Sequence, residues 1–98
     1  MNIKSVVISE DNNTIELVKR YIDESSTGSF LFGLSDFSKA YNAIKELDKC
    51  LIIVDISGYQ EQALNFVSKI TTDFTNSRVI TLSDKPDIDL VIRSLRVG

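Results

Sequence analysis

The spacing of apolar residues changes period several times along the chain. Four short runs, residues 3–8, 29–33, 50–55 and 78–82, are rich in β-branched side chains and have the length of buried strands. Between them the apolar positions fall at helical spacing. Ile15, Val18 and Ile22 stand at i, i+3 and i+7, with Leu17 and Tyr21 beside them. Phe37, Ala40, Tyr41, Ile44 and Leu47 form a second stripe, and Ala63, Leu64, Val67 and Ile70 a third. A fourth contains Ile88, Val91, Ile92 and Leu95. Cap residues agree with these stripes. Asp11-Asn12-Asn13-Thr14 offers acceptors for the free amides that open the first helix, and Ser35-Asp36 does so for the second. Pro86 suits the first turn of the fourth, where its missing N–H is not needed. The predicted order is β-α-β-α-β-α-β-α, an α/β chain with a parallel sheet covered by helices on both faces. Residues 6–8 and 51–54 lack polar alternation, as interior strands do.

Composition narrows the function. The 98 residues make one domain, and 43% hydrophobic with 26% charged residues is a globular balance. The net charge is −3 and the basic residues are scattered, which speaks against direct nucleic-acid binding, since phosphate contacts need clustered Lys and Arg. No apolar run reaches the ~20 residues of a membrane span, and no signal peptide is legible. A soluble, cytoplasmic domain without membrane contact is expected. The single cysteine, Cys50, begins an apolar run and reads as a small buried hydrophobe. The chain contains no histidine, which removes Ser-His-Asp hydrolysis, His-ligated zinc and phosphohistidine chemistry.

In doubly wound sheets, sites lie beyond the carboxyl ends of the strands. The first strand is followed by Ser9-Glu10-Asp11, the third ends in Asp55-Ile56-Ser57, and the fourth is followed by Ser83-Asp84. Carboxylates gathered there repel one another, and a divalent cation relieves that repulsion. Mg²⁺ takes oxygen ligands from one or two carboxylates, with waters and phosphate oxygens completing its shell. A carboxylate can also attack phosphorus and form an acyl phosphate. Ser83 could then donate a hydrogen bond to the phosphoryl group. Each residue also has a plainer reading: Asp11 as a helix cap, Asp55 as a loop acid after a buried strand, Ser83 as an ordinary turn serine.

These residues resemble the response-regulator receiver family. The resemblance rests on Val6-Val7-Ile8-Ser9-Glu10-Asp11-Asn12, Leu51-Ile52-Ile53-Val54-Asp55 and Val79-Ile80-Thr81-Leu82-Ser83, taken in order. It implies a flavodoxin-like doubly wound sheet with strand order 2-1-3-4-5. Asp55 is then the phosphoacceptor and Ser83 the switch hydroxyl. Mg²⁺ is held by Asp11, Asp55 and the Ser57 backbone carbonyl, with Glu10 acting through water. Phosphorylation would bias the face carrying the fourth helix, in two-component signal transduction or a phosphorelay. Expected partners are a histidine kinase or phosphotransfer protein and a downstream domain or protein.

The chain departs from the family at several points. The loop after Asp55, Ile56-Ser57-Gly58-Tyr59-Gln60-Glu61-Gln62-Ala63, lacks the proline and Asp-Gly found there in many members. Asp84 stands where a small residue is usual. The family's fifth strand and helix would follow Gly98, and its charge-neutralising lysine, for which this sequence offers no counterpart, lies at the end of that strand. The expectation is a fragment of a longer protein, or a homodimer that covers the fourth strand's edge.

Three functions follow from these features. The first is a phosphoacceptor receiver, whose only enzymatic act is phosphoryl transfer to its own Asp55. The second is a phosphorylation-independent pseudo-receiver for docking or localisation. The loop after Asp55 and the Leu95-Arg96-Val97-Gly98 ending are similar to the amino-terminal domains of MinD/ParA-class pilus-assembly ATPases. The third, a flavodoxin-like cofactor binder, is disfavoured. Two acids stand after the first strand, where a phosphate-binding loop would be needed.

Overall fold

The structure, a computed structural model, describes residues 3–25, 28–58 and 60–83. The elements are β1 (Ile3–Ile8), α1 (Asn12–Glu24), β2 (Gly28–Leu34), α2 (Phe37–Lys45), β3 (Leu51–Asp55), α3 (Gln60–Asp73) and β4 (Arg78–Leu82). The expected fourth helix, Pro86 and Asp84 lie outside the described residues.

The first two helices start where the sequence supplies an acceptor. The Asp11 carboxylate takes the Asn13 amide at 2.9 Å ahead of α1, and Asp36 takes the Lys39 amide at 2.9 Å ahead of α2. The strands pair in parallel in the order β2-β1-β3-β4, which leaves β1 and β3 in the interior. Their alternate side chains supply two separate cores. Val6, Ile8, Ile52 and Val54 pack with Ala40 and Ile44 of α2 and with Ala63, Leu64, Phe66, Val67 and Ile70 of α3. On the other face, Val7 and Ile53 pack with Ile15 of α1. This is the expected α/β sheet with helices on both faces.

Some details differ from the sequence reading. Leu17 and Tyr21 are 46% and 65% exposed, outside the buried stripe of α1. Leu17 is two residues from Ile15, and residues two apart point to nearly opposite sides of a helix. Phe66 joins the α3 face between Ala63 and Ile70 and is only 7% exposed. Leu47 lies beyond the end of α2 but still packs on the core. β2 is one residue longer at each end than predicted, and its register on β1 slips between Ser5 and Val6, leaving Leu31 as the extra residue. Cys50 precedes β3 rather than opening it; it is buried, and its amide donates to Ser77 Oγ at 3.2 Å.

Gly33 lets α1 approach the sheet, because a Cβ there would overlap the Ile15 side chain. The larger core lies on the opposite, α2–α3 side of the sheet. Replacing fully buried Ile70 by Ala is expected to cost about 2–5 kcal/mol in urea denaturation, through lost burial and a residual cavity. Leu17→Ala should stay within about 0.5 kcal/mol of the parent. Similar losses for the two variants would contradict this assignment of the core.

Candidate functional site

The parallel register decides which polar residues meet. Ile8 lies opposite Val54 and Asp55 opposite Leu82, so Ser9, Asp55 and Ser83 emerge together at the carboxyl edge of the sheet. A cavity of about 440 Å³ opens there, lined by Glu10, Asp11, Thr14, Asp55, Ser57, Gly58, Leu82 and Ser83. All five residues expected from the sequence, Glu10, Asp11, Asp55, Ser57 and Ser83, border it. Among the described residues, no lysine or arginine does.

Asp55 is held at both carboxylate oxygens. The Ser57 amide donates to Oδ1 at 2.9 Å, and the Ser57 hydroxyl donates to the same oxygen. The Ser9 hydroxyl donates to Oδ2 at 2.6 Å, the length of a charge-assisted bond. Burial pushes the Asp55 carboxyl up, but the bonds from the Ser57 side chain, the Ser9 side chain and the Ser57 amide outweigh it. The group is held below the usual carboxylate value.

The sequence does not mark Ser9 as a site residue; there it is only the polar residue that closes an apolar strand. It is 2% exposed, and its amide continues the β1–β2 ladder by donating to the Leu34 carbonyl at 3.0 Å. The Asp11 amide donates to Ser9 Oγ at 3.1 Å. Asp11 thus fulfils its plainer reading as the cap of α1 and also borders the cavity. Glu10 lies over the loop after β3: a Cβ built on Gly58 would stand 2.5 Å from Glu10 Oε2. Gly58 is therefore the residue that leaves room for this carboxylate.

Among the described residues, no three acidic, histidine or cysteine side chains gather tightly enough to form a metal cage. Mg²⁺ does not require one, since it binds through one or two carboxylates and keeps several waters. The side-chain donors around the cavity, carboxylate and hydroxyl oxygens with neither imidazole nor thiolate, fit such an ion in kind.

A depressed carboxyl stabilises the folded state above its unfolded value, and that contribution is lost as pH falls through the folded value. The stability difference between the parent and Asp55→Asn should therefore be level above about pH 5 and shift against the parent below roughly pH 3.9. Urea midpoints of both proteins across that range provide the test. A difference that does not vary with pH would contradict the hydrogen-bonded Asp55.

Neither a protein-family model nor a curated protein sequence matches this chain. Solved structures do. A response regulator from Thermotoga maritima superposes with a TM-score of 0.87 at 23% identity, over 100% of this chain and 80% of that one. The isolated REC domain of RcsB from Salmonella enterica serovar Typhimurium, solved with the phosphomimetic BeF3−, gives 0.87 at 14% identity, over 99% of this chain and 72% of that one. A protein described as the pilus assembly protein CpaE, from Burkholderia thailandensis, gives 0.83 at 14% identity, over 98% of this chain and 80% of that one. The parallel four-stranded sheet with its three helices agrees with these comparisons: the chain has the response-regulator receiver fold.

Proposed function

We propose that this chain is a phosphoacceptor receiver domain of a two-component system, phosphorylated on Asp55. The observation that carries the reading is the meeting of Glu10, Asp11 and Asp55 around one cavity at the carboxyl edge of a receiver-type sheet. In the transfer step an Asp55 oxygen attacks phosphorus, and the bond between phosphorus and the donor breaks with its electron pair leaving on the donor. Ser57 would orient the carboxylate for that attack, and Ser83, which follows β4 and borders the cavity, would donate to the phosphoryl oxygens. Mg²⁺, held by Asp11, Asp55 and the Ser57 carbonyl with Glu10 acting through water, would supply neutralisation of the phosphoryl charge. The expected partners are a histidine kinase or phosphotransfer protein and a downstream domain, in a cytoplasmic setting. Among the described residues, no helix is long and apolar enough to cross a membrane.

A second reading, a pseudo-receiver used for docking or localisation, also has support. Both Asp55 oxygens already have donors, no described cation lines the cavity, and CpaE is among the fold neighbours.

Incubation with Mg²⁺ and a small acyl phosphate, followed by mass spectrometry, separates the two. The phosphoacceptor reading requires one added phosphoryl group on the parent and none on Asp55→Asn. No adduct, together with no Mg²⁺-dependent binding of beryllofluoride, would leave the docking reading in possession.

A further inference from the structure

We infer that Ser9 is a positioning residue for Asp55, and that its hydroxyl shortens the life of an acyl phosphate formed there. The inference rests on the phosphoacceptor reading above and assigns a role to a side chain that this reading does not itself require.

The geometry is that of a fixed donor rather than a passing contact. Ser9 is almost completely buried, and its backbone is held in the ladder by Leu34. The Asp11 amide occupies a lone pair of its oxygen at 3.1 Å, which turns the hydroxyl proton toward Asp55 Oδ2 at 2.6 Å. The alternative acceptor, the Asp11 carbonyl, lies at 3.3 Å and is uncharged. A continuous chain therefore runs from the start of α1 through Ser9 to the phosphoacceptor: Asp11 N–H to Ser9 O–H to Asp55 Oδ2.

Such a donor acts on both directions of the chemistry. On phosphorylation, an Asp55 oxygen forms a bond to phosphorus and the donor's leaving oxygen departs with the old bond's electron pair. On hydrolysis, water bonds to phosphorus and gives its proton to solvent, and the electron pair of the broken P–O bond returns to the Asp55 carboxylate. The returning charge is delocalised over both oxygens, so a donor at either one stabilises it. Ser9 thus makes Asp55 a better leaving group and a milder nucleophile, and the adduct shorter-lived. Ser57 holds the other oxygen from within the loop that follows β3, whereas Ser9 holds its oxygen from the neighbouring strand.

The experiment compares the parent with Ser9→Ala, which removes the donor, and Ser9→Cys, which keeps the volume with a far weaker one. Two readouts are used. The first is the half-life of the adduct formed with Mg²⁺ and a small acyl phosphate, after the donor has been removed. It should lengthen about fivefold in both variants, reflecting the loss of one charge-assisted hydrogen bond. The second needs no phosphorylation: the Asp55 carboxylate carbon and the Asp11 amide proton should both shift in the NMR spectra of either variant. Unchanged half-lives, with the parent forming an adduct, would overturn the role of Ser9 alone. Unchanged NMR signals would overturn the hydrogen-bonded chain. No adduct on the parent would overturn the phosphoacceptor reading and the lifetime effect with it, while the NMR shifts would still report whether Ser9 positions Asp55.

Discussion

The parallel pairing of β1 with β3 is the constraint on which the site depends. Both strands lie inside the sheet, and Val6, Ile8, Ile52 and Val54 are buried completely between it and the α2–α3 layer. Burial on both faces leaves little freedom of register, because a slip of one residue would turn each apolar side chain toward the wrong layer. The two apolar runs end at the same edge, and the first polar side chains past them are brought side by side. Ser9 meets Asp55 for that reason, and no loop has to bend to bring them together.

What happens at that edge is a contest between desolvation and hydrogen bonding. A half-buried carboxylate beside two further acids would favour protonation if it stood alone. Asp55 instead has three donor groups at its two oxygens, and together they outweigh the penalty of burial. The local order of the loop after β3 is part of the same arrangement, since Ser57 turns its amide and hydroxyl back onto the residue two before it. Gly58 then supplies the space in which Glu10 can lie. The loop departs from the family's pattern in sequence, yet it organises the acidic edge through serine and glycine.

Much of this was legible in the residues. The limits of β1 and β4, the cap acids of α1 and α2 and the parallel sheet all follow from period and composition. Leu17 and Tyr21, beside the α1 stripe in sequence, are exposed, because hydrophobicity alone does not say which side of a helix faces the sheet. Ser9 was missed for a different reason. A serine ending a strand has no distinctive spacing, and its meaning comes from a partner 46 residues away in sequence. The resemblance draws attention to the Ser57 carbonyl, and the structure adds that its amide and hydroxyl engage Asp55. Sequence pattern locates residues along a strand; register determines which of their atoms meet.

The same hydrogen bonds bear on both functional readings, and their energetics separate what each one needs. For docking, the donors to Asp55 are simply what makes a carboxylate tolerable at a half-buried strand end, and any neutral, well-packed residue could replace the whole group. For phosphoryl transfer, the donors must orient the nucleophile without quenching it. A carboxylate has about four lone-pair sites, and three donors leave one for attack on phosphorus, while a metal contact would need one of the hydroxyls to turn away. The bonds therefore moderate Asp55 without blocking it. A hydroxyl fixed by the neighbouring strand is a firmer constraint than one carried by a loop, because moving it would disturb the β1–β2 ladder at Leu34. The strand pairing that builds the acidic edge thus also sets how strongly its central carboxylate is held.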